Sequence, residues 1–394
     1  MSGALKRDEW ETVRLGDVIT SAPVLKCGDG SYPILSMTMH DGIVYQSERF
    51  KKDLASKDKS GYKIVKPGQL VVGFPIDEGV LYIQRYAESG IMSPAYTVWD
   101  VDYTYLDKDY FELALHGPRS MKYYASKLRG STARRRTLPT STLLALPLAL
   151  PPLDVQRRIA DTLDKVTELI TLRKTQLKKL DELVKARFVE MFGDPEYNEK
   201  SWDIKKLEKL CVVGSSKRIY QNEQSVSGVP FLRISNLVNL IDTGIKESDL
   251  YIPRELFLKL KEQGLVPTVG DILITARGTL GKCYIVKVDD EFYFQDGMIS
   301  WLSKLDKVIN AVYLTYLFSQ YGFRKQIDSL QAGSTVAYLS IAQTKKLDIM
   351  LPPLDLQTQF ASFVSSVEEA KAPIQQSLDA LETLKKSLMQ EYFG

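Results

Sequence analysis

The amino-acid sequence predicts an α/β protein written twice: two pseudo-symmetric globular α/β halves joined by two long helices that form a coiled-coil-like spacer. Three observations predict this fold class. Several motifs occur twice in the same order, an apolar stripe with heptad spacing follows the repeated motif in each copy, and short strand-like runs alternate with turn residues in both halves.

The internal repeat gives the domain organisation. LPPLDVQ at residues 150–156 recurs as LPPLDLQ at residues 351–357, and 16 of the 44 positions that begin with these motifs are identical without a gap. RGST and AGST, and further upstream GQLVVG and GDILIT, recur in the same order. We therefore predict a first globular domain over residues 1–152, a first spacer helix over 153–192, a second globular domain over 193–353 and a second spacer helix over 354–394.

The repeated segment has the spacing of a long helix with one apolar seam. The steps between apolar residues alternate four and three, as a heptad seam requires. In the first copy the seam consists of Ile159, Leu163, Val166, Ile170, Leu177, Leu180 and Val184. A shift of 201 residues gives Phe360, Val364, Val367, Lys371, Leu378, Leu381 and Lys385.

Each seam needs an apolar partner, and the simplest arrangement packs the two helices on each other. The alternative is that each helix lies on its own domain. Pro373 falls inside the second helix, where proline removes a hydrogen bond, so we expect the helix to be kinked or divided there.

The globular halves show the alternation of strands and helices typical of mixed α/β domains. Strand-like runs are GQLVVGF, GVLYIQ, AYTVWD, DILITA and CYIV, and they are separated by Gly, Pro and Asp turns. Helical stretches are predicted late in each half, over residues 111–127 and 312–330. The two halves share this order but differ in most residues.

The composition excludes several classes of protein. Hydrophobic residues make up 44% and charged residues 26% of the 394 residues, and the net charge is only +3, so any polyanion must be met by locally gathered charge. The three cysteines and two histidines lack zinc-site spacing. The N-terminus lacks the apolar core of a signal peptide, and no run is long enough to span a bilayer. These features predict a cytoplasmic protein with no membrane partner.

Positive charge is gathered in one stretch of the first half. Residues 113–153 contain no acidic residue but contain seven basic ones, namely Arg119, Lys122, Lys127, Arg129, Arg134, Arg135 and Arg136. Arginine and lysine side chains are the usual partners of phosphate oxygens, so we predict that all of them except Arg119 contact DNA. The alternative is a solvated basic loop that contacts nothing.

The second half has lost these arginines, and its candidates lie in polar turns beside strands. RISN and TARGTLGK are placed as base-reading loops would be. The predicted DNA-binding residues of this half are Lys217, Arg218, Tyr220, Arg233, Asn236, Arg277 and Lys282. For each of them the alternative is an ordinary surface or turn role.

The motifs of a nuclease, a methyltransferase or a motor do not occur. The sequence has no N-P-P-[FY] or D-P-P-[FY] motif, no G-x-G-x-x-G after a strand, no Walker A loop and no P-D…[DE]-x-K pattern. We therefore predict a chain that binds without catalysing, with no catalytic residue, no metal and no cofactor of its own.

The chain resembles the specificity subunit of type I restriction-modification enzymes over its whole length. The resemblance rests on LPPLDVQRRIADTLDKV and LPPLDLQTQFASFVSSV, on the central EMFGDPEYN, on the turns GSTARRRTL and GSTVAYLSI, and on GDILITARGTLGK. It implies two target-recognition domains, each reading one half of a split site in double-stranded DNA, and two antiparallel helices that act as a ruler and as the docking surface for two methyltransferase subunits.

The resemblance also implies where the chemistry lies. The methyltransferase subunits would bind S-adenosylmethionine and modify an adenine, and motor-nuclease subunits with ATP and Mg would add cleavage. Two other hypotheses are a non-catalytic scaffold whose related modules grip proteins, and a fragment of a fused methyltransferase-nuclease. The second of these requires catalytic motifs that the sequence lacks.

Overall fold

The computed structural model describes residues 10–39, 41–49, 58–128, 138–330 and 337–394. The chain divides into two compact units. Unit 1 comprises Met1–Lys174 and Gln376–Gly394, and unit 2 comprises Thr175–Gln375. The predicted domain boundaries separate the helices from the globular parts, whereas each compact unit contains one part of both helices.

Unit 1 is built from short strands and helices that lead into a 40-residue helix. Its strands are β1 (Glu11–Arg14), β2 (Ile19–Ser21), β3 (Leu35–Met37), β4 (Ile43–Tyr45), β5 (Lys63–Val65), β6 (Leu70–Val72), β7 (Leu81–Ile83), β8 (Gly90–Met92), β9 (Thr97–Val101) and β10 (Pro147–Leu150). Its helices are α1 (Leu15–Val18), α2 (Gln46–Arg49), α3 (Lys108–Leu115), α4 (Pro118–Lys127), α5 (Thr140–Leu144) and the first part of α6 (Leu153–Phe192).

The central sheet of unit 1 has the order β2-β9-β6-β7, with every pair antiparallel. β1 pairs antiparallel with β10, which ends just before α6. β3 pairs with β4, and β5 pairs with β8. The runs GQLVVGF, GVLYIQ and AYTVWD form β6, β7 and β9, as their alternation predicts.

Unit 2 repeats the order of the central-sheet strands, of the three helices after them and of the last strand, but differs in the segments between its central-sheet strands. Its strands are β11 (Asp203–Lys206), β12 (Val212–Gly214), β13 (Val229–Leu232), β14 (Tyr251–Ile252), β15 (Ile272–Thr275), β16 (Cys283–Ile285), β17 (Tyr293–Phe294), β18 (Ile299–Ser303) and β19 (Asp348–Leu351). Its helices are the end of α6, α7 (Ile234–Thr243), α8 (Arg254–Glu262), α9 (Ala311–Ser319), α10 (Tyr321–Ser329), α11 (Ile341–Lys345) and the first part of α12 (Leu354–Phe393).

The sheet of unit 2 has the order β12-β18-β15-β16, which matches β2-β9-β6-β7 strand for strand. β11 pairs with β19 as β1 pairs with β10. The third sheet of unit 2 has the order β14-β13-β17 with a parallel β13–β17 pair, whereas the described residues of unit 1 have the separate pairs β3–β4 and β5–β8 with a single parallel bridge between Ile34 and Ile91. The predicted fold class, two similar α/β halves with long helices, is confirmed.

The helical stretches predicted over residues 111–127 and 312–330 are present, and each consists of two helices, α3 and α4 in unit 1 and α9 and α10 in unit 2. In unit 1 the break falls at Gly117, the N-cap of α4, and Pro118 takes the first helical position, where its missing N–H costs nothing. In unit 2 the extended backbone of Gln320 separates α9 from α10.

In unit 1 the start of α6 packs antiparallel on the end of α12. Leu163 is fully buried in the core that also holds Phe393, whose ring centroid lies 5.3 Å from that of Tyr110. Farther along α6, Lys174 Nζ lies 2.7 Å from Glu382 Oε1. Later residues of α6 therefore contact earlier residues of α12, so the two helices run antiparallel and pack on each other, as predicted.

In unit 2 the end of α6 packs antiparallel on the start of α12. Phe188 and Phe192 are fully buried, and their ring centroids lie 5.4 and 5.5 Å from that of Phe360. Lys371, which interrupts the predicted apolar seam, donates to Asp181 Oδ1 at 2.8 Å. A charged residue is accommodated in the seam because a carboxylate of the opposite helix compensates its charge.

α12 continues through Pro373 as one helix, so of the two expected outcomes, a kink or a division, the division does not occur. The proline deprives the carbonyl of Glu369 of its usual donor. Because Pro373 is exposed, water can reach this part of the helix and compensate the missing bond.

A fully buried glutamine fixes the start of α6. The Gln156 amide oxygen accepts from the backbone N–H of Asp107 at 2.9 Å, and its Nε2 donates to the carbonyls of Tyr105 at 2.9 Å and Pro151 at 2.8 Å. Asp107 is the N-cap of α3, so this one side chain ties α3 to the strand-to-helix junction.

Gln357 makes the same three contacts at the start of α12. It accepts from the backbone N–H of Asn310 at 2.8 Å and donates to the carbonyls of Val308 at 3.0 Å and Pro352 at 2.8 Å. Asn310 caps α9 as Asp107 caps α3. The final glutamine of each LPPLD[VL]Q motif is thus a buried structural residue. Among the helices of the described chain, none has an apolar stretch of membrane-spanning length.

Candidate nucleic-acid interface

The two units differ mainly in what is built around the end of their central sheets. We define variable region 1 as residues 22–69 and 84–96, and variable region 2 as residues 215–271 and 286–298. Variable region 1 contains α2 and the pairs β3–β4 and β5–β8. Variable region 2 contains α7, α8 and the sheet β14-β13-β17. These regions are where two related units can present different surfaces.

Each variable region has a small core of its own. Leu35, Val65 and Met92 are buried together under variable region 1. Variable region 2 contains two apolar clusters, one around Leu237 and one around Phe257. Rigid packing below a surface holds its polar side chains in place, which is what recognition of a fixed pattern of donors and acceptors needs.

The predicted DNA-binding residues of unit 2 lie on three segments that the structure joins. Lys217, Arg218 and Tyr220 follow β12, Arg233 and Asn236 lie at the start of α7, and Arg277 and Lys282 lie in the turn between β15 and β16. The Gln295 N–H donates to the Leu232 carbonyl at 3.0 Å, and the Ala276 N–H donates to the Met298 carbonyl at 2.9 Å. The Gly297 N–H also donates to Ser215 Oγ at 3.1 Å, beside the segment that follows β12, so residues 295–298 lie between the three segments.

Three of the predicted cations are paired with carboxylates. Arg218 Nε lies 2.9 Å from Asp296 Oδ2, Arg233 Nη2 lies 2.6 Å from both oxygens of Asp249, and Lys282 Nζ lies 2.5 Å from both oxygens of Asp242. The hydrogen bond that Arg218 donates to Asp296 raises the pKa of Arg218 above its ordinary value. Exposed pairs of this kind stabilise a fold by only about 0–1 kcal/mol, so their main effect is on orientation and local charge.

The remaining candidates of unit 2 differ in the exposure of their side chains and in the hydrogen bonds that these side chains already form. Asn236 uses both ends of its amide, because Oδ1 accepts from the Arg233 N–H at 3.0 Å and Nδ2 donates to the Glu247 carbonyl at 3.0 Å. The Tyr220 side chain is 61% exposed, and the Lys217 and Arg277 side chains are also exposed. Asn236 is therefore a positioning residue in this structure, while the other three present accessible donors or a ring.

The basic stretch of unit 1 is described only in part. Lys122 and Lys127 are exposed on α4. Arg129, Arg134, Arg135 and Arg136 lie outside the described residues, as do the two G-S-T turns. Their predicted contacts with DNA stay predictions.

One histidine is explained by the fold. His116 Nδ1 lies 2.8 Å from the Glu112 carbonyl and Nε2 lies 2.9 Å from the Gly79 carbonyl, and its ring lies 4.9 Å from that of Tyr82. The imidazole therefore holds the turn between β6 and β7. In unit 2 the guanidinium of Arg324 donates to the Leu280 carbonyl in the matching turn.

The sequence reasoning missed Asp242, Asp249 and Asp296, which are the anionic partners in variable region 2. Asp249 lies 16 residues from its cation, Asp242 lies 40 and Asp296 lies 78. At these separations no helical or strand periodicity links the partners, so only the folded chain could reveal them.

The fold and these surfaces define a duplicated α/β protein. Its units share one frame, which we define as the four-stranded central sheet, the β1–β10 or β11–β19 pair and the long helices that follow, and they differ in the surface that the variable regions present. The family model described as the type I restriction modification DNA specificity domain matches residues 7–182 and 199–383. The chain belongs to this family, which confirms the resemblance found in the sequence.

Curated relatives and solved structures agree with this assignment. The chain is 31% identical to the putative type I restriction enzyme specificity subunit S.HindORF215P of Haemophilus influenzae over 251 residues, which cover 62% of this chain and 61% of that protein. It is 22% identical to the type I restriction enzyme MjaVIII specificity subunit of Methanocaldococcus jannaschii, with coverage of 99% and 93%.

Two solved structures share the fold. The type I restriction-modification S subunit from M. genitalium superposes with a TM-score of 0.58 at 13% identity, covering 100% of this chain and 97% of that one. A chain from a study of complex assembly and conformational transition of the type I R-M system gives 0.57 at 16% identity, covering 98% and 97%. At these identities the likeness shows the fold alone.

Proposed function

We propose that this chain is the DNA-binding subunit of a type I restriction-modification complex and that it reads an asymmetric bipartite site, with one domain for each half-site. The observation that carries the proposal is one frame repeated in two units with different variable regions. Identical frames favour the same approach to the duplex, and different surfaces favour different bases.

We further propose that the chain catalyses nothing itself and confers specificity on methyltransferase and endonuclease subunits. S-adenosylmethionine, ATP and Mg are then bound by those partners. An adenine inside a duplex must leave the base stack to be methylated, so the enzyme that modifies it needs a separate subunit or domain with its own pocket. In this account the role of the present chain is to position that subunit on the DNA.

The exposed faces of the two long helices support docking of two methyltransferase subunits. Apolar side chains are 42–49% exposed on α6 at Leu169, Leu172 and Leu183, and 42–45% exposed on α12 at Leu354 and Leu384. Leu169 and Leu172 lie three residues apart on one face of α6, and adjoining exposed apolar side chains of this kind favour a protein–protein contact. A scaffold that binds only proteins would use the same helices but would not need two variable regions.

The proposal is tested by DNA binding of the full chain co-purified with its methyltransferase subunits. We expect binding of duplex DNA that weakens steeply with salt, followed by methylation of adenines in a split, asymmetric motif when the modified DNA is mapped. Stable assembly with the methyltransferase but no salt-sensitive DNA binding and no methylation would favour the protein-binding scaffold instead.

We also propose that α6 and α12 act as the ruler between the two half-sites. A heptad inserted into both helices, near Lys174 and near Gln375, keeps the seam in register and lengthens the pair by roughly 10 Å. Since base pairs advance about 3.4 Å each, the unread gap should grow by about three base pairs, unless rotation around the duplex abolishes activity. Full activity at the original spacing would contradict the ruler.

A further inference from the structure

We propose that Asp249 is a specificity-determining residue, which holds the guanidinium of Arg233 so that it reads a base edge rather than a phosphate. The O6 and N7 acceptors of guanine are the base edge that an arginine fits best. This inference rests on the proposed function and assigns to one ion pair of variable region 2 a role within it.

The backbone of Arg233 is fixed on both sides. The residue is the N-cap of α7, and its N–H donates to Asn236 Oδ1 at 3.0 Å. The preceding carbonyl, that of Leu232, accepts from the N–H of Gln295 at 3.0 Å. A side chain that leaves a fixed point of the backbone loses little conformational entropy when it binds, which favours recognition over loose attraction.

The carboxylate is fixed by the same network. Asn236 Nδ2 donates to the Glu247 carbonyl at 3.0 Å, and Ser248 Oγ donates to the Phe231 carbonyl at 2.8 Å. These bonds hold the two residues before Asp249 against the end of β13 and the start of α7. Asn236 therefore positions both members of the pair.

The contacts of the guanidinium leave donors available for a ligand. Both oxygens of Asp249 lie 2.6 Å from Nη2 of Arg233. In the described part of the chain, Nε is buried without an acceptor and Nη1 forms no hydrogen bond. Buried donors are normally satisfied, and an exception is expected where a ligand completes the site.

The charge of the pair separates base reading from phosphate binding. Alone, an exposed arginine is attracted to any phosphate, whereas a carboxylate at contact distance cancels that attraction and repels the phosphate itself. An ion pair without net charge whose guanidinium is oriented can still donate to a base edge. This arrangement weakens binding to DNA in general, but it enlarges the difference in binding affinity between the right and the wrong base.

The chain offers a matched control in the pair of Arg254 and Glu291. It lies in the same variable region, with Arg254 Nη1 2.9 Å from Glu291 Oε2 and side chains 63% and 47% exposed. Arg254 opens α8 and not the junction between β13 and α7. Asp249→Asn and Glu291→Gln thus each remove one negative charge beside an arginine. Only the first of these two arginines lies at the junction between β13 and α7.

The experiment uses the full chain in complex with its methyltransferase subunits and short duplexes with and without the mapped methylation motif. For Asp249→Asn we expect tighter binding to the motif-free duplex, a salt slope steeper by about one, and a preference for the motif reduced by about tenfold or more. The methylated motif should become degenerate at one position of one half-site. Glu291→Gln should steepen the slope similarly and leave the preference unchanged.

A charge-conserving variant separates orientation from charge. Arg233→Lys keeps the positive charge but loses the fork, so it should relax the same base position without steepening the salt slope. If Asp249→Asn keeps the full preference for the motif, the pair is an ordinary surface ion pair and the inference is wrong. If the unmodified complex fails to distinguish the two duplexes, the proposed function fails and the inference falls with it.

Discussion

The frame that the two units share and the variable regions that they do not share obey different constraints. In the frame, equivalent positions make equivalent contacts: Gln156 and Gln357 each satisfy three backbone groups, and a buried aromatic residue closes each helix pair. In the variable regions the pairing is less alike: variable region 2 has the three-stranded sheet β14-β13-β17, whereas variable region 1 has the pairs β3–β4 and β5–β8 and a single parallel bridge between Ile34 and Ile91.

This difference teaches where stability and specificity lie in the chain. The frame consists of groups whose removal leaves cavities or unpaired buried atoms, so its residues are tied to folding. The ion pairs of Arg218, Arg233 and Arg254 in variable region 2 are largely exposed, so they stabilise the fold little and can change without loss of the fold. Substitutions in the frame should therefore change stability, and substitutions in the variable regions should change the site that is read.

The largest loss of stability is expected in the aromatic cluster of unit 2. Phe188→Ala removes a fully buried ring that contacts Phe192, Tyr313 and Phe360, and should lower the free energy of unfolding by about 3–5 kcal/mol. Denaturant titration of the purified chain measures this change in the free energy of unfolding. The neighbouring Val189→Ala, at a side chain 45% exposed, is the control and should change stability by less than about 0.5 kcal/mol.

The next effect compares the two copies directly. Gln156→Leu and Gln357→Leu each leave buried backbone groups without a partner, at about 1–3 kcal/mol for each group that stays unpaired. Because the contacts match, the two variants should lower stability by similar amounts, whereas Gln359→Leu at an exposed position two residues away should have little effect. A large loss from only one of the glutamines would contradict a shared frame.

The basic stretch of unit 1 should affect DNA binding without affecting stability. Changing Arg134, Arg135 and Arg136 together to alanine should weaken binding to all DNA and flatten the salt slope by up to roughly three. The triple lysine variant, which keeps the charge, should retain the slope. Loss of discrimination at a single base pair with an unchanged salt slope would show that one of these arginines reads a base. No change in DNA binding would favour the alternative, a solvated loop that contacts nothing.

The sequence could predict those parts of the molecule that depend on local periodicity or on repetition. The strands of the central sheets, the two long helices and their seam follow from such patterns, and Ile159, Leu163 and Phe360 are buried as the seam requires. The breaks at Gly117 and Gln320 inside the predicted helical stretches do not follow from such patterns, because the helix propensity of the residues on both sides masks a single extended residue.

The candidate site was less accessible to sequence reasoning. Basic and aromatic residues beside turns could be selected by type, but the carboxylates that pair with Arg218 and Lys282 are 78 and 40 residues away. Whether a cation attracts phosphate or is neutralised by a neighbour depends on such contacts. Residue type could therefore indicate which residues form the candidate DNA-binding surface, but not which of its cations are neutralised by a neighbouring carboxylate.

The central claim, that each unit reads its own half-site, is tested most directly by exchange of one half. Residues 1–150 are replaced with the matching half of another member of the family, and the methylated adenines are mapped in cells that contain the methyltransferase subunits. One half-site should change to that of the donor while the other half-site stays as it was, and exchange of residues 201–350 should give the reciprocal result. A change in both half-sites after a single exchange, or in neither with methylation retained, would contradict the account.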